Sequence, residues 1–347
     1  MKKLLIYNLE TNLDSYVLAA SHDWIESFSK YVDRVEVYST HVGRYNFSSN
    51  VTVHELGGGN VRNRVIAVLR LLNSFARQVR SRRNLTVIYH MTIKPMLIVG
   101  PLFKLTGVKQ GFWYSHSKNS ITLLISYLLA NKVFSSAPGT IPLSGRKVKY
   151  VGHGIKTSRF SIDTSNESQK REGIVALGRI TPIKNIHLAI EGIYEARANS
   201  VGLTCMGSPD NQEYVEELIK FAKYREISLK IVNPVNYHLV PHKLREFDAI
   251  FSGTPKSIDK AAIEGALSGC FVISQEPETL RLTAMIEIYK TLGYEKIPTI
   301  KDQVSIIFNL NDNFKESLRL ILKSKSAELN DLNNTTFKIL SELKVIS

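Results

Sequence analysis

The sequence predicts an α/β protein made of two doubly wound parallel sheets. Three observations lead there. Short β-rich runs alternate with helical patterns along the whole 347-residue chain. That length exceeds one small core and suits two domains of roughly 150–170 residues each. A polar, aperiodic stretch, TSRFSIDTSNESQKRE (157–172), separates two such series. The expected domains are therefore 1–158 and 159–347. A helical, Leu-rich tail from Asn313 onward packs back, with the N-terminal domain as its candidate partner.

In the first series the strand candidates are KLLIYN (3–8), RVEVYS (34–39), LTVIYH (85–90), QGFWYS (110–115), KVFSSA (132–137) and KVKYVG (147–152). Each is short and rich in β-branched or aromatic residues, which suit a pleated, buried surface. Helical patterns fill 14–31, 61–83, 95–106 and 119–130. ITLLISYLLA (121–130) falls well short of the ~18 apolar residues that span a bilayer and reads as a buried helix. MKKLLIYN has an apolar run too short for a signal peptide and reads as a first buried strand. The second series runs GIVALG (173–178), helix 185–197, GLTCMG (202–207), helix 211–224, LKIVNP (229–234), AIFSG (249–253), helix 259–268 and CFVIS (270–274).

Composition narrows the class. At 44% apolar and 22% charged residues the chain is globular and not disordered. Two cysteines, Cys205 and Cys270, form no disulfide framework or zinc cluster, so a reducing, cytosolic setting is expected. Charge is uneven: residues 1–160 hold 22 Lys and Arg against 7 Asp and Glu, whereas 161–347 hold 23 against 24. From Leu56 to Ile162 there is no carboxylate among 17 Lys and Arg. Such a half implies an anionic partner: phospholipid, nucleic acid or a phosphorylated substrate.

IVALGRITPIKNIHLAIEGI (174–193) reads as strand, turn, helix. Gly178 ends the strand, Arg179 and Lys184 flank a turn holding Pro182, and Asn185 is placed to cap the helix. Two cations at a helix N-terminus suit a diphosphate. The bland alternative is a turn whose cations only face solvent. The glycines of a Walker loop or dinucleotide fingerprint are missing.

LGRITPIKN, VGHGIKTSRF (151–160) and IEGALSGCFVIS (263–274), in this order and spacing, resemble glycosyltransferase family 4, retaining enzymes of the GT-B fold. The resemblance covers essentially the whole chain and is strongest over 151–275. It implies two Rossmann-like domains facing a central cleft. It further implies that Arg179 and Lys184 neutralise the donor's diphosphate, and that Glu264 holds the nucleotide's ribose hydroxyls. VNPVNY (232–237), with Asn236, falls where the family's main chain meets the base. His116, after GFWYS, stands where the family usually has a histidine facing the donor sugar, so it becomes a candidate catalytic or donor-positioning residue beside Glu264. His90 ends the previous strand, and His153 reads as structural.

Two departures matter. The family's glycine-rich turn after the first strand is here YNLETNLDSY (7–16), without glycine, so acceptor residues do not carry over. The family's first glutamate is replaced by Lys256, within Lys256-Ser257-Ile258-Asp259. Asp259 either caps the following helix or takes over a contact to donor hydroxyls. Lys260 and Glu264, four apart, share a helix face. Either they form a plain surface ion pair, or Lys260, or Lys256, reads an anionic donor group: the diphosphate or a uronic-type carboxylate.

No Asp-x-Asp occurs, so transfer without a metal is expected, and no cofactor beyond the nucleotide-diphosphate sugar itself. A double displacement needs an enzymic carboxylate against the sugar. The carboxylate-free stretch favours a front-face reaction in which the departing diphosphate takes the acceptor's proton, although Glu10 and Asp14 remain available.

VRNRVIAVLRLLNSFARQVRSRR (61–83) places Val61, Val65, Val68, Leu72, Phe75 and Val79 on one helical face, the natural sheet-facing side. Arg62, Arg70, Arg77 and Arg80 gather beside it, as candidates for anionic lipid or the acceptor. Lipid is preferred over nucleic acid because many relatives use lipid-linked acceptors. The expectation is a cytoplasmic, membrane-peripheral transferase acting in surface-glycan assembly, such as lipopolysaccharide or capsule. The alternatives are a GT-B nucleotide-sugar epimerase, which turns over donor without acceptor, or a basic nucleic-acid-binding protein.

Overall fold

The computed structural model describes residues 1–15, 18–57, 61–160 and 171–346, apart from the side chains of Val61, Arg62 and Ser81. Two compact units make up the chain: Met1–Ile155 with Leu332–Ser347, and Lys156–Asp331.

The first unit runs β1 (Lys3–Thr11), α1 (Ala20–Ser29), β2 (Arg34–Val42), β3 (Val51–Glu55), α2 (Val61–Gln78), β4 (Leu85–His90), α3 (Lys94–Leu105), β5 (Lys109–Trp113), α4 (Ile121–Leu129), β6 (Lys132–Ser135) and β7 (Val148–Tyr150). The strands form one parallel sheet in the order β3-β2-β1-β4-β5-β6-β7, with Lys3 level with both Arg34 and Leu85. Alternate side chains feed opposite faces. Leu5, Tyr7, Val87 and Tyr89 pack with Leu71 of α2, Met96, Val99 and Phe103 of α3, and Leu123 of α4. Leu4, Ile6 and Ile88 pack with Trp24, Ile25 and Phe28 of α1 and with Ile339 and Leu340 of the C-terminal segment.

Two expectations fail on the α2–α4 layer. Tyr7 is fully buried, and its hydroxyl shares a 2.5 Å hydrogen bond with Ser74. Tyr38, beside it, is bonded by Gln78. Buried hydroxyls need partners, and these two bonds set the rotation of α2. Leu71, Ser74 and Gln78 face inward, while Val65, Val68 and Leu72, assigned to the sheet side, are exposed. Helix α4 is not buried either. Ser120 caps it through the Leu123 N–H, and it turns Leu123 and Ser126 inward. Ile121, Leu124, Ile125 and Leu128 point outward. Two smaller differences are that α1 starts at Ala20 and that the short edge strand β3 escapes the hydropathy pattern.

The second unit runs β8 (Ile174–Leu177), α5 (His187–Glu195), β9 (Leu203–Met206), α6 (Gln212–Tyr224), β10 (Leu229–Val232), α7 (Val240–Leu244), β11 (Ala249–Phe251), α8 (Lys260–Leu267), β12 (Phe271–Ile273), α9 (Pro277–Leu282), α10 (Met285–Thr291), α11 (Ile300–Asn309) and α12 (Asp312–Asn330). Its parallel sheet has the order β10-β9-β8-β11-β12. Residues 261–267 of α8 are all buried. Cys205 and Cys270 are buried free thiols. The last helix, α13 (Leu332–Glu342), belongs to the first unit.

Candidate active site

In a doubly wound sheet, ligands bind beyond the carboxyl ends of the strands where strand order reverses. In the second unit that place is β8 beside β11. Gly178 leaves β8 with φ +105°, and a Cβ there would stand 2.9 Å from Lys184 Nζ. Glycine thus lets the lysine fold back over the strand end, where Nζ donates to the Leu177 carbonyl at 2.7 Å. The same ammonium pairs with Asp259 at 2.7 Å.

Asn185 adopts a left-handed conformation (φ 48°) and donates through Nδ2 to the Gly253 carbonyl at 3.0 Å. It ties the loop after β8 to the loop after β11 and does not cap α5, whose N-cap is Ile186 without a side-chain bond. Asp259 is itself a cap. Its Oδ1 accepts from the Ala261 N–H at 3.2 Å while Oδ2 holds Lys184. One carboxylate thus fixes both the start of α8 and the position of the lysine.

One residue on, Lys260 lies 2.8 Å from Glu264. This is not a solvated surface pair: Glu264 is 4% exposed. Lys260 Nζ also donates to the Tyr237 hydroxyl at 2.7 Å and sits 3.9 Å from that ring's centroid. Burial opposes its charge, but the Glu264 carboxylate and the Tyr237 hydroxyl outweigh that and hold the ammonium above its ordinary pKa. Burial pushes the Tyr237 hydroxyl up to about 12, against the pull of Lys260. The Arg159 guanidinium lies 4.4 Å from the same ring.

The structure thus joins Lys184 to Asp259 and Lys260 to Glu264 on one junction. Arg179 leaves the same β8 loop but pairs with Asp210 at 3.3 Å, both exposed. Asn236 is exposed, directly before Tyr237. Lys256 is exposed in the left-handed region at φ 51°. Tyr237, Arg159 and Asp210 went unnoticed in the sequence. Tyr237 ends the quoted VNPVNY segment, but no spacing rule pairs it with a lysine 23 residues away.

In the first unit, His116 is exposed after β5, and its Nδ1 accepts from the Lys118 N–H at 2.9 Å. His90 ends β4 at the strand-order reversal, 4.8 Å from Trp24 and 6.3 Å from Trp113 by ring centroids. Burial, then His153, lowers its pKa from 6.5 to about 4. The folded unit therefore keeps His90 neutral where the unfolded chain binds a proton. Its contribution is intact above pH 6.5 and is lost as pH falls toward 4, by up to roughly 3 kcal/mol. His90→Gln should flatten this acid limb. Equal slopes for both proteins in urea titrations from pH 7 to 4 would exclude it.

Arg70 donates to the Glu55 and Leu56 carbonyls at 3.1 Å, whereas Arg77 and Arg80 are exposed. The Arg62 side chain lies outside the described residues. Among the described residues, His22, Asp23 and Glu26 of α1 offer possible metal-ligand atoms within 4.8 Å of one another.

No protein-family profile matches the chain, and no curated protein matches it in sequence. Solved structures do match. Anabaena HepE in complex with UDP-glucose aligns with a TM-score of 0.71 at 12% identity over 100% of both chains. A glycosyltransferase from Rickettsia africae gives 0.69 at 12% identity, over 99% of this chain and 98% of that one. A variant of S. aureus TarM, in complex with fondaparinux, α-GlcNAc-glycerol and UDP, gives 0.66 at 10% identity over 99% of each. The fold is GT-B. Each GT-B half is a doubly wound sheet with its own order reversal, β1/β4 in the first and β8/β11 in the second. The Lys184–Asp259 and Lys260–Glu264 pairs occupy the second of these.

Proposed function

We propose that the protein is a retaining glycosyltransferase that moves a sugar from a nucleotide-diphosphate donor to an acceptor hydroxyl without a metal ion. The observation that carries this reading is the pairing of Lys184 with Asp259 and of Lys260 with Glu264 at the β8/β11 ends. Lys184, with Arg179 swung from Asp210, neutralises the diphosphate as it departs. Preorganised cations of this kind stabilise charge that develops in the transition state. Glu264 takes the ribose hydroxyls, with Asn236 and Tyr237 on the base side. Asp259 releases Lys184 to the phosphate and stays as the cap of α8. The diphosphate oxygen accepts the acceptor's proton on the face it leaves, and His116 positions the donor sugar. UDP-glucose in the HepE complex and UDP in the TarM complex support a nucleotide donor on this fold.

The acceptor we propose is a glycan or lipid-linked surface glycan, reached by a peripheral protein at the cytoplasmic face of the membrane. Among the described residues no helix is long and apolar enough to cross a bilayer. A thermal-shift panel of nucleotide sugars tests the core of this reading. One nucleotide class should raise the melting temperature, because a ligand at 100 Kd adds about 2.7 kcal/mol. A flat response across the panel would sink it.

A further inference from the structure

We infer that the α2–α3–α4 face of the first unit docks on an anionic lipid bilayer, with the outward stripes of α2 and α4 entering the interface. This deepens the membrane placement above, but its evidence is independent of the sugar-transfer site.

On α2 the outward residues are Val65, Val68, Leu69 and Leu72, with Leu69 59% and Leu72 41% exposed. On α4 they are Ile121, Leu124, Ile125 and Leu128, with Ile121 76% and Leu128 55% exposed. Each set falls within one arc at helical spacing, opposite the residues that face the sheet. Both helices pack on α3 and share one core cluster, so the stripes lie on the same side of the sheet. Helix α3 adds Leu105, 86% exposed. Soluble proteins rarely leave two such apolar stripes open on one side of a sheet, and their rim shows what they meet.

That rim is wholly cationic. No carboxylate occurs between Leu56 and Ile162, so α2, α3, α4 and their loops carry only Lys and Arg. Arg64, Arg77, Lys104 and Lys118 are exposed on these elements. Past the C-terminal end of α2, Arg80, Arg82 and Arg83 line an open pocket of about 580 Å³, a suitable seat for phosphate headgroups. Apolar stripes with basic flanks describe a helix lying in a membrane interface. A second copy of this face would set like charge against like charge, which disfavours self-association.

The test is flotation of the full chain with vesicles of phosphatidylcholine alone or with 30% phosphatidylglycerol. Binding should be at least tenfold stronger with the anionic lipid at 0.1 M salt. The preference should shrink at 1 M, where the screening length falls from about 10 Å to about 3 Å. Leu69→Gln/Leu72→Gln and Ile125→Gln/Leu128→Gln should each weaken binding about 100-fold, at roughly tenfold per apolar side chain withdrawn. Circular dichroism confirms folding. Independently, a fluorophore on Ile125→Cys should shift to the blue on anionic vesicles, since the native thiols are buried. Undiminished binding by both double variants, no wild-type binding, or no spectral shift overturns the inference. So does a dimer that the same substitutions dissociate. Vesicle binding without any nucleotide-sugar response leaves the docking face standing and removes the transferase reading; the reverse result does the opposite.

Discussion

Lys184→Ala is expected to lower sugar transfer by about 10²–10³-fold, the usual loss when one preorganised charge donor to a leaving group is removed. The lysine is held before any ligand arrives, between the Leu177 carbonyl and Asp259. It therefore already stands at the strand end, and only its bond to Asp259 gives way as charge develops on the diphosphate. Stability should barely change, because partly exposed ion pairs are typically worth 0–1 kcal/mol and Asp259 keeps its bond to the Ala261 N–H. The loss should fall on kcat more than on KM, since the interaction strengthens as the diphosphate leaves. Arg179→Ala should cost less, as that side chain is exposed and must first leave Asp210. Steady-state kinetics at saturating donor decide the matter. A Lys184→Ala enzyme within threefold of wild type removes the residue from the site.

Glu264→Gln should damage binding and stability together, and the two can be separated. The glutamine keeps the shape but strips the partly exposed Lys260 ammonium of its buried carboxylate partner 2.8 Å away. Breaking one side of a buried pair costs about 3–5 kcal/mol. In a unit of this size each kcal/mol is worth roughly 2–4 °C of melting temperature, so a fall of about 6–20 °C is expected. Donor affinity should drop by about 10–100-fold, the value of hydrogen bonds to a charged acceptor. Adding Lys260→Met to Glu264→Gln should recover most of the melting temperature, because apolar replacement of a buried pair is often neutral. It should not recover donor binding. Joint recovery of both would mean that Glu264 only supports the fold.

Both sheets were legible in the sequence because their strands are short β-rich runs with helical patterns between them, and a parallel sheet needs that alternation. Arg179, Lys184 and Asp259 could be singled out as candidates because each sits in a strand-to-helix turn, whereas Glu264, inside α8, was singled out by the family resemblance. What could not be read were choices made by distant partners. Two tyrosine hydroxyls on the sheet hold α2 through Ser74 and Gln78, so Val65, Val68 and Leu72 turn outward against the hydropathy wheel, while Phe75 packs inward as the wheel expects. Asn185 has the chemistry of a cap, yet its left-handed backbone sends it to Gly253. Lys260 and Glu264 match a surface pair at helical spacing, and only Tyr237 shows that they are enclosed.

The placement of α13 with the first unit has a consequence for how the chain is made. The last helix packs against α1, bonding Thr335 to the Val151 carbonyl and Thr336 to Ser27. The core around Trp24 and Phe28 therefore waits for residues synthesised after all of Lys156–Asp331. Domains otherwise mature from the N-terminus as they emerge from the ribosome, at about 5–20 residues per second. Here the first unit is completed by a helix made after the whole of the second. During that interval α1 and the sheet beneath it expose their apolar side, a window in which a nascent-chain chaperone has a defined surface to cover.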